Sequence, residues 1–541
     1  MRNSALAAGA LAIYIAMTLL IAKTKLPWCD EGWYANAAYN LAFQGEMGMS
    51  VLEPSGTFLN AYLSGIQHRV YVTVPNHIVA LAGLFRAAGF SLLAMRLYSI
   101  LWGALGLLAL FYILDRLFPE SYVPAIAVLL VSIDFMFLWT AADGRAEAAA
   151  NALAAGSLAA YLHFRPERPG LAIIASQTLL AAAIFTHPNA LWVGLTVPVL
   201  ALRDGFSGIK KKYFALAAVP YLLFAGLWAR YILQDPSDFR IQFAANAASR
   251  DGTRATGILH PLRSVSAEMY RYFKWYSLSS MWGGEMNGAL MLVVLLYLAS
   301  LIWLVVKLRS FNAGGRTFAV CVFTVLIAFT FFEGFKAGMY LHYLVVWYDA
   351  VLAVWIADLW RRKAEARLLA SAIVCIFAFL QIGTSVAHIR ADEYRRQYLP
   401  AIADLEKERG AGKTIAGTAA LGFGLGFHGF ADDWRLGTYS GLQPDLLVLD
   451  RSYREFQEVF ERSEPRVFAH AAATLTSAYH LSRCYGTYWI FERGNPGPIE
   501  FDEVDREPRG NRARKLFQLL HENFERKTQI RESRRAPDKG Q

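Results

Sequence analysis

Polar residues able to do acid–base or anion chemistry gather at the ends of apolar runs. Asp30 and Glu31 stand side by side in "LPWCDEGWYANAAYNL", the first stretch after an apolar run. Asp143, Arg145 and Glu147 follow in "AADGRAEAAANAL", His187 in "FTHPNA", and Glu333 and Lys336 in "FFEGFKAGMYLHY". Carboxylates can take a proton from a hydroxyl, and cations can hold a departing anion. The same residues also read as ordinary span ends: loop carboxylates meet water, His187 before Pro188 ends a helix, and Lys336 snorkels. What separates the two is whether the chain collects them on one face.

The apolar elements answer that. Of 541 residues, 55% are apolar and 18% charged, and the apolar ones lie in long blocks. Runs long enough to cross about 30 Å of hydrocarbon cover 5–22, 97–114, 122–139, 147–162, 170–185, 190–202, 213–233, 288–306, 317–332, 339–359 and 368–387, about eleven spans. The run 190–202 is the weakest, being short and carrying Pro198. With a cytoplasmic N-terminus, the loops falling inside hold Arg116; Arg165 and Arg168; Arg203, Lys210, Lys211 and Lys212; Lys307, Arg309 and Arg316; and Arg361, Arg362, Lys363 and Arg367. That asymmetry obeys the positive-inside rule and places all the chemistry-bearing loops outside.

The net charge of +10 is therefore mostly topological and makes no case for nucleic acid. The first run lacks a small-residue cleavage site and reads as a retained signal anchor in a multi-pass plasma (inner) membrane protein. Cys29 and Cys484 fall outside, where a disulfide is permitted, but read as unpaired small residues. Residues 1–387 form the membrane domain with outer loops 23–96 and 234–287; the second loop carries "YRYFKWYSLSSMW", suited to a helix at the membrane surface. Residues 388–541 alternate β-like and helix-like segments, an extracytoplasmic α/β domain on the periplasmic or exterior side, with a disordered tail "RKTQIRESRRAPDKGQ". "GFGLGF" after a β-like run lacks the full dinucleotide spacing and reads as a turn needing positive φ.

One span, then an outer loop with "DEGWYANAAYNLAFQGE", then "HRVYVTVPNHIVALAGLFRAAGFSLLAMRLYSILWG" resembles the GT-C glycosyltransferases that use lipid-phosphate sugars. These include the dolichyl-phosphate-mannose protein mannosyltransferases and the bacterial aminoarabinose (lipid A) transferases. The match lies on Asp30, Glu31, Tyr34 and Ala35, then Pro75, then Arg96, Leu97 and Ser99; "GRAE" adds Arg145 and Glu147, and "KAGMYL" adds Lys336 and Tyr340. The lysine that precedes the loop prolines in the family is absent from "TVPNH", which leaves His77 or Arg69 as the donor-phosphate candidate.

The resemblance implies a mainly α, polytopic GT-C bundle and an inverting transferase, hexosyl or pentosyl, in envelope glycan or glycolipid modification. It moves a sugar from a polyprenyl-phosphate donor to a hydroxyl of a glycan, glycolipid or protein acceptor. Such a donor has a good leaving group, so transfer needs a base for the acceptor and cations for the phosphate. Asp30 is the expected base, with Glu31 orienting substrate or sharing the role; Lys336, Arg145 and His187 are the expected phosphate partners, with Tyr34, His77, Asp143, Glu147 and Tyr340 also lining the substrate. If the fourth span begins by Asp143, then Asp143, Glu147 and Asn151 share one face. Together with Asp30 they leave a divalent metal, magnesium or manganese, open as a cofactor. A lipid or solute transporter remains the non-enzyme alternative, since Asp134 and Asp349 fall inside spans. Another envelope enzyme, a polymerase or ligase, is the third.

Overall fold

The computed structural model describes residues 2–56, 62–205, 209–249, 257–278, 287–494 and 510–535. The chain divides into two compact units: Met1–Lys25, Thr73–Pro236 and Arg250–Asp392 form the first, and Leu26–Val72, Ser237–Ser249 and Glu393–Gln541 the second. The expected outer loop 23–96 is thus shared, its first part folding with the C-terminal segment.

The first unit is a bundle of apolar helices, as a chain of uninterrupted hydrophobic runs must be in lipid, where every backbone group needs an internal partner. Among the described residues eight helices are long and apolar enough to cross a membrane, or nine if one bent pair is a single span, so the protein is multi-pass. The expected count of eleven is not reached on length and composition. The helix Glu147–Phe164 fails the test, and the run 190–202 forms Ala190–Gly194 and Thr196–Asp204, separated at Leu195. Pro198 accounts for the break, because it has no N–H to give the carbonyl of Gly194. The bent pair is Val123–Ile133 and Phe135–Ala141, turned by 65° at Asp134, whose carboxylate accepts the Phe137 amide at 2.9 Å and starts the second helix. The span Gly338–Trp360 is 83% buried and central, whereas Lys211–Ile232 is 6% buried and peripheral.

The two aspartates inside spans face each other in this core. The Tyr297 hydroxyl lies 2.9 Å from Asp134 Oδ2 and 3.0 Å from Asp349 Oδ1, and Gln381 Nε2 donates to Asp134 Oδ2 at 2.5 Å. They are interior and hydrogen-bonded, the arrangement that a buried polar group requires.

Of the segment 270–282 expected to lie as a helix at the membrane surface, 270–273 end the helix Pro261–Phe273, which is turned inside out relative to a soluble one. Leu262, Val265, Met269, Tyr270 and Phe273 are exposed while Ser264, Glu268, Arg271 and Tyr272 are buried. An apolar outer face suits a helix lying against lipid. Lys274–Leu278 continue as a single π-helical turn, and 279–282 lie outside the described residues.

The second unit holds a five-stranded sheet with strands β1 (Ile415–Ala416), β2 (Phe430–Ala431), β3 (Leu446–Leu449), β4 (Tyr479–Tyr485) and β5 (Tyr488–Arg493). Their order is β2-β1-β3-β5-β4; β1 pairs parallel with β2 and β3, and β5 antiparallel with β3 and β4. Helices Arg451–Ser463, Pro465–Ser477 and Arg512–Arg535 supply Tyr453, Phe460, Leu475 and Leu516 to its core. The C-terminal segment thus has the α/β class of fold expected of it. The tail expected to be disordered is helical to Arg535, and 536–541 lie outside the described residues. In "GFGLGF", Gly426 has φ +72°, the positive-φ turn the sequence predicts. Cys29 and Cys484 are not joined in a disulfide.

Two further segments complete this unit. Gln242 of the helix Pro236–Ser249 donates to the carbonyls of Ser64 and Arg69 at 2.8 and 2.9 Å and accepts the Tyr71 amide at 2.7 Å. Leu52 bridges Asp432 in parallel, which extends the sheet edge beside β2.

Candidate functional site

In the second unit, Asp30 and Glu31 open the helix Cys29–Phe43. Glu31 is fully buried at the third helical position, and its Oε2 accepts the Trp28 amide at 3.0 Å, the return half of a capping box. Asp30, one residue earlier, is half-buried, with the Cys29 thiol 3.6 Å from Oδ1. Tyr34 is half-buried one turn on. The helix N-terminus favours negative charge at both carboxylates. The adjacent acids thus have different jobs: Glu31 closes the helix, and Asp30 is the more accessible of the two.

In the first unit, Arg145, Glu147, His187 and Tyr340 come together. Glu147 is fully buried and receives Arg145 through Nε at 3.1 and 3.2 Å and Nη2 at 2.6 Å. His187 Nε2 lies 3.9 Å from Glu147 Oε1, and its Nδ1 accepts the Asn189 amide at 3.3 Å, which leaves the ring proton on the nitrogen facing Glu147. The rings of His187 and Tyr340 are 5.3 Å apart.

The loop before Glu147 is pinned from three sides. Lys25 pairs with Asp143 and stands 4.0 Å over the Trp139 ring; Ser99 Oγ donates to the Arg145 carbonyl at 3.2 Å; His77 Nε2 meets the Gly144 carbonyl at 3.0 Å. Arg96, fully buried, donates to the carbonyls of Ala22 and Lys25 at 2.7 and 3.0 Å and so closes the first helix. The "R-L-x-S" motif is therefore scaffolding for this loop.

Several expectations change here. The helix begins at Glu147, so Asp143 leaves the stripe and only Glu147 and Asn151 share a face. His77 is fully buried, and burial pulls its imidazole down to about 4, so it is neutral near pH 7 and holds Gly144 rather than offering charge to a phosphate. Lys336 donates to the carbonyls of Phe329 and Thr330, the latter at 2.9 Å, and pairs with Glu268 at 3.1 Å. Burial lowers its ammonium below the ordinary lysine value, Glu268 opposing. Lys336 also takes φ +50°, a left-handed conformation costly for lysine.

Sequence inspection misses two members. Arg271 is buried between Glu268 and Glu333, at 3.1 Å from the latter, which makes Lys336 part of a network of two cations and two acids. The exposed and buried halves of the helix Pro261–Phe273 were the available signal. His342, fully buried, stacks on Phe137 at 4.4 Å and 8°, and Asn151 Nδ2 reaches its carbonyl at 3.5 Å. It is hidden in an apolar run and has no sequence signal.

Asp143 is matched by Lys25 and Glu147 by Arg145, and among the described residues no three His, Cys, Asp or Glu side chains converge.

No protein-family model matches the sequence, and no curated protein matches it. Among solved structures, the chain is similar to ArnT from Cupriavidus metallidurans bound to undecaprenyl phosphate, at 15% identity and a TM-score of 0.52, covering 92% of this chain and 99% of that one. The apo state of the same protein gives 14%, 0.52, 92% and 99%. An Archaeoglobus fulgidus oligosaccharyltransferase tethered to an acceptor peptide gives 10% identity and a TM-score of 0.45, covering 91% of this chain and 75% of that one. The residues that carry the motif resemblance and the near-complete overlay on ArnT agree: this chain has the GT-C glycosyltransferase fold.

Proposed function

We propose that the protein is an inverting glycosyltransferase that moves a hexose or pentose from a polyprenyl-phosphate donor to an acceptor hydroxyl at the exterior face of the plasma (inner) membrane, with its N-terminus cytoplasmic. Asp30 takes the proton of the acceptor hydroxyl as its oxygen attacks the anomeric carbon. The bond from that carbon to the phosphate oxygen breaks, and the phosphate leaves with the electron pair. Arg145, as a cation, and His187, as a donor through Nε2–H, are assigned to the departing phosphate, with Tyr340 beside them. The observation that carries this assignment is the division of labour at the helix start: Glu31 is held as a cap, while Asp30 is the accessible carboxylate. No step runs through a metal.

The acceptor class is a glycan, glycolipid or protein of the envelope. Purified protein is offered undecaprenyl phosphates carrying a hexose or a pentose, and envelope glycans of cells with and without the protein are compared by mass spectrometry. Transfer that disappears in a folded Asp30→Asn variant is expected. Full turnover by that variant would remove Asp30 as base, and gradient-driven uptake into liposomes without transfer would favour a transporter.

A further inference from the structure

The second unit buries an acid that the proposed reaction does not use. Asp432 follows β2 and is 0% exposed. Its Oδ2 accepts Trp33 Nε1 at 3.0 Å and the Ala419 amide at 2.9 Å, and its Oδ1 accepts the Tyr453 hydroxyl at 2.9 Å. Its backbone continues the tie: its amide donates to Val51 at 2.7 Å and its carbonyl accepts Glu53 at 2.9 Å. One residue thereby joins the helix Cys29–Phe43, the first outer segment, the turn after β1 and the helix Arg451–Ser463.

Trp33 is three residues after Asp30, on the same helix face one turn along. Its ring stacks on Trp434, centroids 4.9 Å apart and planes at 25°. Between the two residues, a Cβ on Gly32 would lie 2.4 Å from the Ala419 carbonyl carbon, so the helix sits flush on that turn. Gly32 sets the depth of the helix and Trp33 its rotation.

Three donors favour a charged carboxylate at Asp432, and burial opposes it; burial wins by enough to push the group up to about 7. The charged groups around it are accounted for. Asp450 adds repulsion and accepts Thr418 Oγ1 and the Tyr453 amide, both at 2.9 Å; Asp433 accepts Ser440 Oγ at 2.6 Å, and Glu53 repels Asp433. Arg435 is held by Glu464 at 2.8 Å, and Arg454 lies 4.3 Å over the Trp489 ring. A proton arriving on Oδ1 displaces the one donated by Tyr453 and weakens the charge-assisted bond to Trp33.

We propose that Asp432 is a positioning residue for transfer: its ionised carboxylate, acting through Trp33, holds the helix Cys29–Phe43 at the rotation in which Asp30 meets the acceptor proton. This rests on Asp30 being the base, so one arm of the test is independent of activity. In full-length protein with nitrogen-15-labelled tryptophan, the Trp33 indole signal is identified by its loss in Trp33→Phe. It is expected to titrate with a midpoint near pH 7 in the wild type and to be flat in Asp432→Asn; a flat wild-type signal would overturn the tie. In the second arm, with the undecaprenyl-phosphate sugar the wild type turns over, Asp432→Asn and Trp33→Phe each lower kcat about ten- to a hundredfold. Donor KM stays unchanged, the acid limb near pH 7 is lost in Asp432→Asn, and the double variant falls no further than either single one. Wild-type kcat and pH profile in a folded Asp432→Asn would also overturn the proposal. A titrating indole with no transfer by the wild type would instead sink the transferase assignment on which it rests.

Discussion

The Glu31 carboxylate accepts the amide of Trp28 at 3.0 Å, three residues back along the chain, while Asp30 between them stays half-buried. Glutamine can make the same return bond, so Glu31→Gln keeps the cap and most of the activity. Glu31→Ala loses the cap and about 1 kcal/mol of stability. Asp30→Asn leaves the helix in place but lowers transfer by about 10²- to 10⁴-fold, the loss of a general base. Transfer rates beside thermal melts of the three variants separate the roles, and a Glu31→Gln loss as large as that of Asp30→Asn would reverse them.

Arg145 and Glu147 form an ion pair away from water, with side chains 5% and 0% exposed. Removing one partner strands the other, whereas removing both does not. Arg145→Met is therefore expected to cost about 3–5 kcal/mol, and adding Glu147→Met to recover most of it. Unfolding in detergent reads both; a double variant as unstable as the single one would show that the pair is not the source of the loss.

How much of this the sequence shows depends on distance along the chain. The apolar runs rest on neighbours a few residues apart, so type and spacing suffice, whereas the helix start at Asp30–Glu31 and the pairing of Arg145 with Glu147 emerge only in the folded chain. The number of spans does not follow from type and spacing either, because Pro198 and Asp134 break helices that composition alone makes continuous. Trp33 and Asp432 are 399 residues apart, and Arg271 and Glu333 are 62 apart. No periodicity links such partners; only the folded chain does. His77 and Lys336 were visible as polar residues, but their commitments to backbone carbonyls were not.

Because Asp143 and Glu147 already have Lys25 and Arg145 as partners, treatment with EDTA is expected to leave the transfer rate unchanged. Loss of activity restored by magnesium or manganese would show instead that these ion pairs open to admit a cation.

Asp432 and Asp450 make the C-terminal unit sensitive to pH in a defined direction. Burial raises Asp432 from 3.8 to about 7 and Asp450 from 3.8 to about 6. The folded chain thus holds protons that the unfolded chain has released. The stability this contributes is fully present below pH 3.8 and is lost as the pH rises through 6 and 7. Glu408 and Asp445 act oppositely: hydrogen bonds from Lys413 and Arg483, and from Thr414, lower them, so their contribution is lost only as the pH falls below the ordinary carboxylate range. Comparing the wild type with Asp432→Asn in full-length protein isolates the first effect. Between pH 5 and 6.5 the wild type should lose stability relative to the variant by up to about 1.4 kcal/mol per pH unit, the limit for one proton. Denaturant melts at several pH values read the difference; one independent of pH across that window would show that Asp432 does not hold a proton in the folded chain.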